Sequence, residues 1–289
     1  MKKRLLALLV GTAFITGLAG CSKPAAEAPK TDDAATEGTA EETTEPVVLK
    51  VGASPTPHAE ILNVAKDILA EEGIDLQVIE FTDYIQPNLA LDSGDLDANF
   101  FQHLPYLDDF NAKNGTKIVS LGTVHYEPMG IYAGKTASLD AIPDGAKIAV
   151  PNDLTNEARA LLLLEANGLI KLNKDAGLSA TKLDIVENPH NLDIVEIEAA
   201  QLARSVKDVD LSVINGNYAI QAGLQVDKDA LAKEEDDSIA AETYANILAI
   251  REDDETRPEL QKLIDVLHSQ EITDYITSTY QGGVAPINK

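Results

Sequence analysis

From residue 47 onward the apolar positions switch between short dense runs and helical spacing. VVLKVGA (47–53) has the character of a strand, and SPTP (54–57) breaks it. In HAEILNVAKDILAEEG, residues Ile61, Leu62, Ala65, Ile68 and Leu69 then fall on one helical face. Thr56 is placed to cap that helix, Pro57 suits its first position and Gly73 its stop. IDLQVIEF (74–81) alternates Ile74, Leu76 and Val78 as a second strand. Strand, helix and strand in this order form a βαβ unit, which implies a parallel sheet covered by helices.

The same order returns further on. KIAVP (147–151) reads as a strand, NDLTNE as a polar turn and ARALLLLEANG as a helix closing on Gly168. The run Leu161 to Leu164 makes that helix apolar nearly all round, so it is expected to be deeply buried. KLDIVE (182–187) is read as the strand that follows. EIEAAQLARSV (196–206) reads as a helix, DLSVIN (210–215) as a strand and YAIQAG (218–223) as a short helix. DKDALAKEEDDS (227–238) reads as loop or solvated helix, and YANILAIRE (244–252) as a strand. RPELQKLIDVLHS and EITDYITSTYQ are amphipathic helices ending at Gly282 and Gly283.

Two βα openings far apart in one chain predict two α/β lobes. If a strand near HYEPMGIY (125–132) leaves the first lobe and YANILAI returns to it, lobe 1 is 47–125 plus 247–289 and lobe 2 is 126–246. Such a double crossover makes a two-strand hinge with a ligand cleft between the lobes.

The first 46 residues follow neither pattern. MKKRLLALLVGTAFITGLAGC has a basic start, an apolar run and a small-residue approach to Cys21, the layout of a signal peptide over residues 1–20. Leu18-Ala19-Gly20-Cys21 is similar to a bacterial lipobox, and Cys21 is the only cysteine of the 289 residues. Lipidation of Cys21 with two acyl chains such as palmitate would anchor the protein stably, where one chain is marginal. The mature domain then has no thiol or disulfide, and its packed core must hold it. Residues 22–46 contain no Val, Ile, Leu or aromatic residue and read as a disordered tether. The formal charge is −25, and more negative once Lys2, Lys3 and Arg4 leave with the signal. A surface this acidic repels phosphate backbones, which argues against nucleic acid as a partner.

Catalytic signatures are missing. G-x-S-x-G, Walker A, G-x-G-x-x-G and H-E-x-x-H are all absent, so no enzyme and no cofactor are expected. The five histidines include no pair at i, i+2 or i, i+4. No metal site is expected; a site assembled in space from His58, His103 and His125 with a carboxylate is the alternative. His103 itself lies in NFFQHLPYLDDF (99–110), which holds Phe100, Phe101, Tyr106 and Phe110 although aromatics make up only 4% of the chain. That setting suits a hydrophobic ligand better than a hydrated cation, while Leu104, Leu107 and Phe110 are expected to pack inward. If Thr155 caps its helix, Arg159 stands one turn inside the positive end, where a cation opposes the dipole unless it meets a carboxylate. Pairing with Glu157 or Asp153 is the other reading. Asn152, Asn156, Asn215, Asn217 and Asn246 stand at strand ends and turns, where asparagine serves either backbone geometry or a zwitterionic ligand.

VGASPTPHAEIL, DANFFQHLPYLDDF, HYEPMGIYAGK, AVPNDLTNEARALLLLEANGLI and VINGNYAIQAGL together closely resemble the NlpA-type methionine-binding lipoproteins, the substrate-binding components of bacterial methionine ABC importers. The resemblance spans essentially all of 47–289. It implies a two-lobed periplasmic-binding-protein-like fold, lipid-anchored on the extracytoplasmic face of the cell membrane, that captures L-methionine. Delivery to an ABC permease and its ATPase follows, with the binding protein a monomer. The family's aromatic and histidine wall falls on Tyr84, Phe101, His103 and Tyr106, with Phe100 and Gln102 alongside. Its carboxylate-binding arginine falls on Arg159 with Asn156 nearby, and further polar contacts fall on Asn215 and Asn246. Leu154 stands where relatives often carry Pro, Glu157-Ala158 where they carry Gly nearby, and Gly216 where Thr is frequent. Another apolar amino acid, a short methionine-containing peptide, or a surface adhesin with a vestigial pocket are the alternatives this leaves.

Overall fold

The structure is a computed structural model that describes residues 45–235 and 239–287. The signal peptide expected over 1–20, Cys21 and nearly all of the tether lie outside the described residues. Among the described residues, no helix is long and apolar enough to cross a membrane.

The first half of the chain gives β1 (Val47–Ala53), α1 (Glu60–Glu71), β2 (Ile74–Glu80), α2 (Gln86–Asp92), β3 (Ala98–His103), α3 (Leu104–Asn114) and β4 (Ile118–Tyr126). It continues with β5 (Gly130–Ala133), β6 (Lys147–Pro151), α4 (Leu154–Ala166), β7 (Lys171–Leu172), β8 (Ile185–Glu187) and β9 (Asp193–Ile197). Then come α5 (Ala199–Ser205), β10 (Leu211–Ile214), α6 (Gly216–Gln221), α7 (Val226–Asp229), β11 (Ala230–Lys233) and α8 (Ile239–Thr243). The chain ends with β12 (Asn246–Arg251), α9 (Pro258–Leu267), α10 (Gln270–Tyr280) and β13 (Ala285–Pro286).

These strands form two main sheets. The first has the order β13-β4-β12-β3-β1-β2, the second β11-β5-β10-β6-β9. In the first, β1 runs parallel to β2 and β3, and β12 runs antiparallel between β3 and β4. In the second, β6 is parallel to β9 and β10, while β5 and β11 are antiparallel. The chain leaves the first sheet after Tyr126 and returns to it at Asn246. Each sheet has its own core. Leu49, Val51, Leu62, Leu69 and Leu263 pack between the first sheet and α1, α9 and α10, and Ile148, Val150, Leu161, Leu164 and Val213 fill the second. As the apolar run implied, α4 is buried on most sides, from Ala158 to Leu164.

Several elements differ from expectation, each for a local reason. Thr56 does not cap α1. It is extended (φ −138°, ψ 135°), as a cap would be, but it lies inside a π-type turn at Pro55–Ala59 that puts the start of α1 at Glu60, out of its reach. Its hydroxyl donates instead to Glu60 Oε1 at 2.9 Å. Asp153, not Thr155, caps α4, accepting from the Asn156 N–H at 3.0 Å, so Arg159 sits in the second turn, beyond the free N–H groups. KLDIVE gives only the short β8, which pairs with β7 outside both main sheets, and β9 takes the place expected of it. DKDALAKEEDDS supplies the edge strand β11, although residues 236–238 lie outside the described residues. Leu107 and Phe110 are buried, but Leu104 is 45% exposed at the start of α3.

A close approach follows β5. Gly134 donates its N–H to Asp210 O at 3.0 Å, and a Cβ there would lie 2.2 Å from Val206 O and 2.4 Å from Val209 O. Backbone oxygens cannot rotate away as side chains do. Gly134→Ala should therefore cost about 1–3 kcal/mol, seen as a fall in the thermal midpoint of roughly 2–4 °C per kcal/mol by circular dichroism.

Candidate functional site

β3 ends on the first sheet where α3 begins, and its last residue caps that helix. His103 Nδ1 accepts from the Tyr106 N–H at 3.2 Å, which leaves the ring proton on Nε2. That Nε2–H points to Asn156 Oδ1, 3.2 Å away on α4 of the second sheet's side. Burial, with the nearby Arg159 charge, lowers the His103 pKa to about 3. It is a neutral ring and a hydrogen-bond donor, not a base.

Around it stand the other expected aromatics. Tyr84 lies 5.8 Å from the rings of both Phe101 and Tyr106, and Tyr106 donates to Tyr84 O at 2.8 Å. Behind this wall a buried amide network fixes Gln102: its Nε2 donates to Asn88 Oδ1 (2.7 Å) and Asn99 Oδ1 (2.9 Å). Tyr84, Phe101, Gln102, His103, Tyr106, Asn156 and Asn215 together line one cavity. Its free volume is only about 20 Å3, room for about one water.

The opposite side is polar. Asn156 Oδ1 also accepts from Asn215 Nδ2 at 2.7 Å, and its Nδ2 donates to the Asp153 carboxylate at 3.0 and 3.1 Å. Tyr84 OH donates across to Asn217 Oδ1 at 2.6 Å, and the Tyr84 and Tyr218 rings are 5.0 Å apart. Asn215 Oδ1 and Asn217 Nδ2 are buried with no hydrogen-bond partner. Buried polar atoms are seldom left unpaired. One acceptor and one donor therefore stand ready beside an aromatic wall.

Six of the eight expected ligand contacts thus meet at this cavity; Arg159 and Asn246 do not line it. Arg159 donates from Nε and Nη2 to the two carboxylate oxygens of Glu234, at 2.8 and 2.6 Å, and from Nη2 to Glu127 O at 2.8 Å. Its guanidinium carbon lies 4.4 Å from the Tyr244 ring, and Tyr244 in turn packs 5.0 Å from His103. Burial alone would raise the Glu234 carboxyl, but Arg159 holds it below the ordinary range. Arg159, Glu234 and Tyr244 face a different cavity of about 460 Å3 walled by Leu162, Leu163 and Ala166. Asn246 Oδ1 lies 3.0 Å from His58 Nε2. Glu234 carried no signal in the sequence, being one acid within an acidic stretch.

His58 and His125 also come together, though without His103. Burial lowers their pKa values to about 4 and about 3, so both rings are neutral.

The family described as NlpA lipoprotein matches residues 49–288. The D-methionine-binding lipoprotein MetQ of Escherichia coli is 41% identical over 249 residues, 85% of this chain and 90% of that protein. Among solved structures, a putative lipoprotein from Ruminococcus gnavus is 56% identical with a TM-score of 0.82, covering 83% of this chain and 99% of that one. A nutrient binding protein from Burkholderia cenocepacia, bound to methionine, is 48% identical with a TM-score of 0.79, covering 82% and 99%.

Proposed function

This chain belongs to the NlpA lipoprotein family, and on that premise we propose that it is a lipid-anchored, extracytoplasmic substrate-binding protein that captures methionine for an ABC importer. It performs no chemistry on its ligand. The observation that carries this reading is the pairing of an aromatic wall with the unpartnered Asn215 Oδ1 in one cavity, with the unpartnered Asn217 Nδ2 on a residue that hydrogen-bonds to Tyr84 of that wall.

The thioether lies among Tyr84, Phe101 and Tyr106, where S–aromatic contacts add roughly 0.3–1.5 kcal/mol each. The ammonium takes Asn215 Oδ1, the side-chain oxygen left without a partner. The carboxylate takes Asn217 Nδ2; Arg159, which does not line this cavity, joins only where opening of the cavity brings the head group to Nη1, the guanidinium nitrogen that neither Glu234 nor Glu127 engages. Asn246, its Oδ1 held by His58, is the further polar contact that the family resemblance implies for the head group. A cavity of about 20 Å3 admits an amino acid only when the aromatic and asparagine sides part. The two crossings between the sheets, after Tyr126 and before Asn246, are the hinge for that motion, and 47–125 plus 247–289 and 126–246 are the lobes it joins. A ligand touching both sides then favours the closed form by its differential affinity, and the closed form is what the permease and its ATPase receive. Lipidation of Cys21 holds the monomer at the membrane.

Calorimetry on protein stripped of carried-over ligand tests this. Both methionine enantiomers, leucine and norleucine are titrated. Methionine should bind at one site, and norleucine, which loses only the sulfur, up to about tenfold more weakly. No heat with methionine refutes the reading.

A further inference from the structure

Two histidines that the cavity does not use converge on one carboxylate. His58 comes from the turn after β1, His125 from the end of β4 and Glu127 from the first residue beyond it. His58 and His125 are fully buried and Glu127 is 5% exposed. One ligand atom from each lies within 4.8 Å of the other two. Glu127 Oε1 is 2.7 Å from His125 Nε2 and 3.4 Å from His58 Nε2, and Asn246 Oδ1 is 3.0 Å from His58 Nε2. A tetrahedral ion with bonds of about 2.0–2.1 Å holds its ligands about 3.3 Å apart. These three separations fall within about 0.6 Å of that edge, so along them the groups need only spread slightly to admit an ion.

The donor set narrows the ion. Two imidazoles with a carboxylate and an amide oxygen suit zinc; copper(I) favours thiolates, and magnesium and calcium require more oxygens. We infer that His58, His125 and Glu127, with Asn246 as fourth ligand, form a binding site for a divalent ion of the zinc type.

The position gives the site a consequence. It joins the turn after β1, the end of β4 and the start of β12, and Glu127 O already accepts from Arg159. An ion there would brace the crossing between the two sheets. Its affinity is limited, because His125 Nδ1 has no partner. Loss of such supporting acceptors costs 10–100-fold in metal affinity. Micromolar binding is therefore expected rather than nanomolar.

The test uses the wild-type mature protein, freed of metal by chelator and titrated with zinc chloride in the absence of methionine. Failure here thus leaves the transport reading untouched. One ion per chain should bind, cobalt(II) should give the intense visible bands of a tetrahedral site, and a zinc-soaked crystal should show anomalous density between the named atoms. His125→Gln and Glu127→Gln should each weaken binding at least about tenfold. If either variant fails to fold, the anomalous map of the wild type decides. Absence of binding, an ion located elsewhere, or affinity unchanged in both folded variants overturns the inference.

Discussion

Arg159→Ala should destabilise the fold by about 3–5 kcal/mol, the range for removing one partner of a buried ion pair. The family resemblance assigns that arginine to the ligand, and its loss to affinity. The structure gives it an internal partner first. Glu234 receives both Nε and Nη2, and accepts from Tyr126 OH (2.7 Å) and the Met129 N–H (2.8 Å) as well. Without Arg159 the carboxylate keeps only neutral donors while remaining buried, and Tyr244 loses the cation over its ring. The pH dependence has a definite sign. A carboxyl whose pKa is depressed by folding contributes stability above its unfolded value, and that contribution is lost as pH falls through the folded value. The deficit of the variant should therefore be full at neutral pH and shrink in acid. Urea unfolding followed by far-ultraviolet circular dichroism measures this, since the chain has no tryptophan. A deficit below about 1 kcal/mol at neutral pH would place the pair among the weak surface bridges. Replacing both partners, as Arg159→Met with Glu234→Leu, should recover much of the loss.

What the sequence could reveal depended on whether the signal was local. The face of α1 and the all-round burial of α4 follow from spacing, because helical periodicity and burial are coupled directly. LDIVE shows the limit. It occurs at 183–187 and again at 192–196. In the first copy Leu183 is 89% exposed beside the two-stranded β7–β8 pair; in the second Leu192 is 6% exposed and β9 completes the main sheet. Identical residues meet different fates because strand pairing is set by what lies alongside. The same holds at the site. An aromatic cluster around a histidine is visible in a sequence with few aromatics, and so is a run of asparagines at strand ends. That Glu234 would cross to Arg159, 75 residues away, or that His58 would meet His125 and Glu127, has no local signature at all. Nor does SPTP announce the turn over Pro55–Ala59 that moves the start of α1 to Glu60, beyond the reach of a cap at Thr56.

Asn156→Leu should weaken methionine binding by on the order of 100-fold, about 3 kcal/mol, while changing the stability of the unliganded protein far less. Leucine has nearly the shape of asparagine, so packing is kept and only polar partners are lost. Those partners belong to both sides of the cavity. Asn156 Oδ1 accepts from His103 on the aromatic side and from Asn215 on its own, while Nδ2 is held by Asp153. In the variant, closing the cavity buries His103 Nε2–H and Asn215 Nδ2 without acceptors, at about 1–3 kcal/mol for each group. Open, the same groups are reached by water and cost little. The penalty therefore falls on the closed state, which is the state the ligand requires, and it appears as lost affinity. Calorimetric titration of wild type and variant, beside urea unfolding of both, separates the two effects. A loss below about fivefold would mean that His103 and Asn215 find other partners on closure. An equal loss of affinity and of unliganded stability would instead mean that the cavity is closed before methionine arrives, and that the asparagine serves the fold more than the ligand.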